Sequence, residues 1–378
     1  MKFTTSSVTL RDALTTVGGA VPSKSTLPIL ECILFEHEAD TSELRLSATD
    51  LEISIIQRVP VQFESNGSAK SSRVAVPAKR LLDTLRALPD LPIEFASDED
   101  FSVTLRTDQG MYKMVGHDGA DYPALPELKG ERRIEIEGSL LRRAIHKTSF
   151  AVSKDALRPA MMGIYFQIQP EQGRTVATDG HRLVKLTLEA MTSDEPVNFI
   201  VPEKAMTLAG RIATDEPCAI IVDGSHVCFE FSHSRVLARL IDEAYPNYEA
   251  VIPVENDRRL VINRASMLAA VKRVGLYSSS MTNQIRLKIT ESLVEISAED
   301  IERSSEARET VLGEYDSEEM VIGFNSVYLT EVLSNLDAED VVFELSSPNR
   351  AGVVMPQEQQ QGEEIMMLIM PVMLNTYA

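Results

Sequence analysis

At 378 residues the chain is too long for one ordinary hydrophobic core and fits two or three domains of about 100–150 residues. With 44% apolar and 25% charged residues it reads as globular and not disordered. Its longest apolar run, Ile365 to Leu374, covers ten positions and contains a proline. That is far short of the ~20 residues needed to cross a bilayer, and the opening MKFTTSSVTLRDAL has no apolar core of a leader peptide. Cys32, Cys218 and Cys228 are odd in number and show no CxxC spacing, so reduced thiols of a cytoplasmic protein are expected, without zinc or disulfides. The net charge of −20 speaks against nucleic acid on average, unless the charges are sorted by position.

In chain order, the first helical pattern spans 8–20 and is followed by the strand-like LRLSATDLEISI, Leu44 to Ile55. A second helix is expected over 77–88, opened by Pro77 at its first position, and Tyr122-Pro123 closes the stretch. The same sequence of signals then returns. Helices are expected at 138–149 and 202–213 around RTVATDGHRLVKL, and Tyr245-Pro246 follows. A third round has helices at 263–275 and 325–336, the latter capped by Asn325, around LVEISAEDIERS, and ends on Met370-Pro371. Ala48-Thr49-Asp50 recurs as Ala177-Thr178-Asp179 and, degenerate, as Ala298-Glu299-Asp300, at intervals of 129 and 121 residues. Pro77, Pro202 and Asn325 stand 125 and 123 apart. Three landmarks in one order at one period indicate a tandem triplication, with domains at 1–126, 127–253 and 254–378. Each is an α+β unit with two helices on antiparallel sheet.

The six helical segments hold twelve basic residues against four acidic ones, although glutamate forms helices as well as lysine or arginine does. The remainder of the chain is correspondingly more acidic than −20. Such sorting suggests one basic helical surface that neutralises phosphates without reading sequence. Two copies would supply twelve helices. At ~10 Å each they close a circle roughly 120 Å around, with an opening of about 25–30 Å.

Several segments then stand out together: STLPILECILF (Ser25 to Phe35), TDLEI (Thr49 to Ile53), VPAKRLLD (Val76 to Asp83), VATDGHRL (Val176 to Leu183), YPNYEAVIP (Tyr245 to Pro253), IGFN (Ile322 to Asn325) and LIMPVML (Leu368 to Leu374). On these the whole chain resembles the bacterial β sliding clamps, the processivity subunits of DNA polymerase III. The resemblance implies the DNA clamp fold closed as a head-to-tail dimeric ring, which encircles duplex DNA without sequence specificity in the cytoplasm, at the nucleoid. It implies no cofactor, no metal and no membrane. Partners would be a second copy and, through short peptide motifs, the replicative polymerase, the clamp loader and repair or translesion polymerases.

Carried across by motif, the peptide-binding pocket would be walled by Thr178, Gly180, His181, Arg182 and Leu183, by Pro246 and Val251, and by Leu368, Ile369, Met370, Pro371 and Val372. Aliphatic and methionine side chains make an adaptable groove, and Thr178, His181 and Arg182 would add hydrogen bonds. Contacts to DNA are expected from Lys24, Lys154 and Arg158, and from the helix residues Lys79, Arg80, Arg142, Arg143, Lys147, Lys204, Arg211, Lys272 and Arg273. Tyr112 and Met114 would meet Leu276 and Tyr277 of the partner. The chain departs from the family pattern at Ala250, where a basic residue is usual, at Val372, and in its extension Asn375 to Ala378.

An enzyme reading has little to stand on. Asp179 and His181 lack a third positioned partner, and no HExxH, GxSxG or glycine-rich phosphate loop occurs. The rival of another class is a repeat scaffold that binds only proteins, which leaves the charge sorting unexplained. QEQQQGEE (Gln357 to Glu364) reads as a surface loop.

Overall fold

The computed structural model describes residues 1–37, 41–63, 72–128 and 132–374. One element order recurs three times. The first repeat runs β1 (Lys2–Ser6), α1 (Ser7–Gly18), β2 (Cys32–His37), β3 (Glu43–Thr49), β4 (Ile53–Pro60), β5 (Gln62–Phe63), β6 (Ser72–Pro77), α2 (Ala78–Ala87), β7 (Pro92–Ser97), β8 (Ser102–Arg106), β9 (Met111–Val115) and β10 (His117–Asp118). The second runs β11 (Arg132–Glu137), α3 (Gly138–Thr148), β12 (Gly163–Ile168), β13 (Gly173–Thr178), β14 (Arg182–Leu188), β15 (Val197–Pro202), α4 (Glu203–Ile212), β16 (Pro217–Val222), β17 (His226–Glu230) and β18 (Ser234–Arg239). The third runs β19 (Arg258–Asn263), α5 (Arg264–Gly275), β20 (Gln284–Ile289), β21 (Leu293–Asp300), β22 (Ser305–Tyr315), β23 (Met320–Asn325), α6 (Ser326–Ser334), β24 (Asp340–Leu345), β25 (Gly352–Pro356) and β26 (Glu363–Ile369). Among the described residues, the short strands β5 and β10 occur in the first repeat only.

The helices form where apolar residues recur at i, i+3, i+4 and i+7. The buried stripe is Leu10, Ala13, Leu14 and Val17 in α1, Ala78, Leu81, Leu82 and Leu85 in α2, and Met267, Ala270, Val271 and Val274 in α5. Each large member contributes about 1.5–3 kcal/mol by leaving water. Ser6, Asn263 and Asn325 cap α1, α5 and α6 through side-chain oxygens that accept backbone N–H groups. One expectation needs correcting. Pro77 is not the first helical residue of α2 but the cap before it, and Pro202 likewise ends β15. Both prolines close a strand whose next residue starts the helix.

The chain packs as two compact units, with the second repeat shared between them. In the unit of Met1–Arg142 and Lys204–Leu240, a five-stranded sheet has the order β5-β1-β7-β8-β9. Beside it a nine-stranded sheet runs β10-β6-β2-β3-β4-β18-β17-β16-β11. The other unit, Arg143–Glu203 with Ile241 onward, holds a twelve-stranded sheet, β15-β12-β13-β14-β26-β25-β24-β19-β22-β21-β20-β23. Within the first unit the ring of Phe95 is stacked on Phe3 at 4.8 Å and on Phe35 at 5.0 Å. The three cysteines are buried and form no disulfide, and burial, with Glu31 adding to it, pushes the Cys32 thiol up to about 11.

Successive repeats are joined by strand pairing in the same way each time. The strand after the Thr-Asp turn of one repeat pairs with the last strand of the next repeat. In the first unit β4 takes β18, from Ile53 opposite Ala238 to Gln57 opposite Ser234. In the second, β14 takes β26, from Arg182 opposite Ile369 to Leu188 opposite Glu363. Two strands of the same kinds remain. β9 ends the five-stranded sheet, and among the described residues β22 pairs over Ser305–Leu312 only with β21.

Candidate functional site

All residues expected to wall the peptide pocket fall in the second unit. Thr178 ends β13 and starts a four-residue turn into β14. Its hydroxyl donates to the Arg182 carbonyl at 2.7 Å and accepts the Gly180 N–H at 3.1 Å. Asp179 accepts the backbone N–H groups of His181 and Arg182 at 2.9 and 3.0 Å. Gly180 sits at φ +88°, a left-handed conformation that favours glycine, and a Cβ there would also meet the Arg158 guanidinium at 2.8 Å.

This turn positions β14 against the chain end. Leu183 stands opposite Leu368, and both belong to an apolar cluster with Val176, Tyr248, Val353 and Met366. Tyr165 and Tyr245 lean on that cluster with rings stacked at 4.6 Å. Burial raises the Tyr245 phenol, which stays protonated and donates to the Val176 carbonyl at 3.4 Å. Above the cluster Val251 is 56% exposed and Met370 41%, with Pro246 half-buried and His181 exposed. The Met370 N–H donates to the His181 carbonyl at 2.8 Å, which fixes the chain end beside the turn. What results is an apolar floor with an exposed rim of aliphatic groups and one imidazole.

Three expected pocket residues sit differently. Arg182 is 6% exposed, and its guanidinium is engaged internally. It donates to the Phe150 carbonyl at 2.7 Å, to Asp179 at 3.3 Å and to Glu331 of α6, and it lies 4.8 Å over the Tyr328 ring. Ile369 is fully buried, because alternation along β26 turns it to the face opposite Leu368. Val372 is tied by its N–H to the Gly323 carbonyl at 2.9 Å, where a side chain on residue 323 would collide with it. The tail 375–378 lies outside the described residues. Reasoning from sequence missed Tyr165, Val353 and Met366; alternation within β12, β25 and β26 was the available signal.

The helices keep the twelve basic and four acidic residues expected of them, but seven of the twelve cations expected at DNA are engaged by carboxylates. Arg142 pairs with Asp215 at 2.7 Å, Lys154 with Glu203, Arg158 with Asp155 at 2.9 Å, Lys204 with Asp50, and Arg273 with Glu309 at 2.6 Å. Arg143 grips Glu363 and Asp337. Lys147 is 3% exposed and donates to the Asn335 carbonyl and to Asp337, both at 2.7 Å. That ammonium is an internal tie and not a surface charge. Lys24, Lys79, Arg80, Arg211 and Lys272 are exposed and have no acidic partner among the described residues. Tyr112, on the edge strand β9, is 37% exposed, and Leu276 and Tyr277, just past α5, are 81% and 45% exposed. Met114 is 4% exposed, so β9 offers backbone at that position and not a side chain.

Family models for the N-terminal, central and C-terminal domains of the DNA polymerase III beta subunit match residues 1–126, 135–247 and 249–372 in turn. The chain belongs to the DNA polymerase III beta subunit family. It is 30% identical to the beta sliding clamp of Pseudomonas aeruginosa over 99% of its own length and all of that protein. With the beta sliding clamp of Synechococcus elongatus it shares 29% identity, over 97% of this chain and 98% of the relative. The solved structure of the Pseudomonas aeruginosa clamp bound to griselimycin superposes with a TM-score of 0.92 at 30% identity, covering 99% of this chain and all of that one. The Bacillus subtilis clamp shares the fold at a TM-score of 0.91, 24% identity and 99% coverage of each chain. The beta subunits are non-catalytic processivity factors, so the clefts of this one are to be read as binding surfaces.

Proposed function

We propose that two copies close head to tail into a ring around duplex DNA, and that the cluster beside the Thr178–Arg182 turn takes short peptide motifs of polymerases and the clamp loader. The chain would act in the cytoplasm, on the nucleoid. The observation that carries ring closure is the repeated junction. β4 with β18 and β14 with β26 use one strand pairing, and the strands left over, β22 and β9, are the two halves of a third. A second copy provides the complement to both at once, and a sheet edge left bare favours such pairing.

The register carries over as well. Met114 pairs with Val103 as Ala238 does with Val227, and Glu306 pairs with Glu299 as Ser54 does with Thr49. On that register Met114 faces Ser305 of the second copy, Lys113 faces Glu306 and Tyr112 faces Ala307. Lysine and glutamate then stand directly opposite, a favourable cross-strand pair. The exposed cations Lys24, Lys79, Arg80, Arg211 and Lys272 would meet phosphates as they stand, whereas Arg142, Lys204 and Arg273 would exchange carboxylate for phosphate. For peptides, Leu183 and Leu368 provide the floor and Val251, Met370 and His181 the rim.

The test is retention on nicked circular plasmid after loading with a cognate loader, against the same plasmid linearised. Retention on the circle with loss from linear ends is expected. Equal loss from both would refute encirclement and favour a protein-only scaffold.

A further inference from the structure

Helix α1 packs on the face of β3 and β4 where Leu46, Ala48 and Ile55 are fully buried. The opposite face is charged in an unusual way. Arg45 and Arg58 stand directly opposite one another in the ladder, an unfavourable placement for like charges unless an anion lies between or above them. A cavity of about 380 Å³ opens there, and Arg133 and Arg235 reach into it from β11 and β18. Its lining holds four arginines against two glutamates, in a chain whose net charge is −20.

The carboxylates present do not serve all four. Glu230 holds Arg133 at 2.7 Å and also Arg235. Burial works to raise its carboxyl, but the two guanidiniums outweigh that and keep it below the usual range. Glu135 takes Arg133 a second time at 2.6 Å, and Glu36, between Arg45 and Arg73, takes both. Arg58 is exposed and has no acidic partner among the described residues. Glu230 therefore fixes two arginines as a scaffold, while Arg58 presents an unused fork toward the same space. Ile56, Cys218 and Phe231 give the cavity an apolar wall.

We propose that this cavity is a docking site for an acidic peptide segment of a partner protein, with a carboxylate seated on Arg58 and apolar atoms against Ile56 and Phe231. The inference does not rest on ring closure or on the peptide pocket of the other unit. Paired N–H donors of a guanidinium match a carboxylate bidentately. A nucleic-acid strand fits less well, since its phosphates are fixed in the backbone and must pass Glu135 and Glu230, whereas the carboxylates of an acidic peptide sit on flexible side chains that can turn away from them.

The experiment titrates the full-length protein into fluorescein-labelled hexaglutamate, and separately into labelled twelve-residue oligothymidylate, at low salt with anisotropy as the readout. Hexaglutamate is expected to bind, about tenfold more weakly to Arg58→Glu, with most affinity kept by Arg58→Lys. Neither variant should melt below the parent, because Arg58 has no acidic partner among the described residues to lose and Arg58→Glu replaces a like charge opposite Arg45 with an opposite one. Hexaglutamate that does not bind, or that binds Arg58→Glu as well as the parent, overturns the proposal. Oligothymidylate held through Arg58 in place of hexaglutamate also overturns it, in favour of nucleic acid.

Discussion

Replacing Arg182 by alanine separates a structural role from a ligand-binding one. The guanidinium, 7% exposed in its side chain, ties the Thr178–Arg182 turn to Glu331 of α6 and to the Phe150 carbonyl. Removing it leaves that carbonyl without its donor, which costs about 1–3 kcal/mol. Asp179, 14% exposed, also loses its counter-charge. One-sided loss of a buried pair costs about 3–5 kcal/mol. Two facts pull the total to the low end. Asp179 keeps two backbone N–H donors, and Glu331 is 40% exposed and rehydrates. A destabilisation of about 4 kcal/mol is therefore expected for Arg182→Ala, and roughly half of that for Arg182→Lys, which keeps the charge and loses the fork. The chain has no tryptophan, so urea unfolding is best followed by circular dichroism together with hydrogen exchange of β14 and β26 amides. A change under about 1 kcal/mol with those amides still protected would refute the structural tie. Unchanged stability with weakened peptide binding would return Arg182 to the ligand.

Lys113→Glu should shift the dimer toward monomer in sedimentation, and adding Glu306→Lys should restore it; a double variant that stays monomeric rejects the register. Arg211→Ala or Lys272→Ala should weaken DNA binding alike for all sequences and lower the salt slope by about 0.9 for each phosphate no longer neutralised. Lys147→Ala should leave that slope alone and lower stability instead, and the opposite pattern would contradict its burial. Val251→Glu, at an exposed rim position, should weaken a polymerase-derived peptide about tenfold in calorimetry without moving the melting temperature. The Asp337 carboxyl is pushed up by burial, but Lys147 and Arg143 outweigh this and hold it below its ordinary value. A depressed carboxyl stabilises the fold above its unfolded value of about 3.9, and that contribution fades as pH falls through the folded value. Asp337→Asn should therefore flatten the acid limb of melting temperature against pH; an identical limb would argue that the ion pairs contribute nothing.

The triplication, the six helices and the sorting of charge onto them were legible because each depends on local pattern. Asn325 caps α6 as its position before VYLTEVL suggests, and the stripe Met267, Ala270, Val271, Val274 can be read by eye. The ion pairs were not legible. Arg143 meets Glu363 across 220 positions, Lys147 meets the Asn335 carbonyl across 188, and Arg182 meets Glu331 across 149. No periodicity reports partners so remote, so a count of basic residues overstated how many cations stand ready for phosphate. Ile369 is a different kind of miss. Alternation along LIMP already places it on the other face from Leu368, and treating the motif as a block hid that.

The junction between repeats joins unlike surfaces, the strand after a turn to a final strand, and so is not its own complement. A joint of that kind has no built-in number. On the proposed closure, stoichiometry is decided by how far each repeat turns relative to the one before it, and the total of six is met by two chains of three. A change that altered the turn per repeat, even deep in a core and far from β9 or β22, would then show itself as a different oligomer or an open filament. Copy number then becomes a property of curvature as well as of the contact, and some mutations that miscount would map far from that contact.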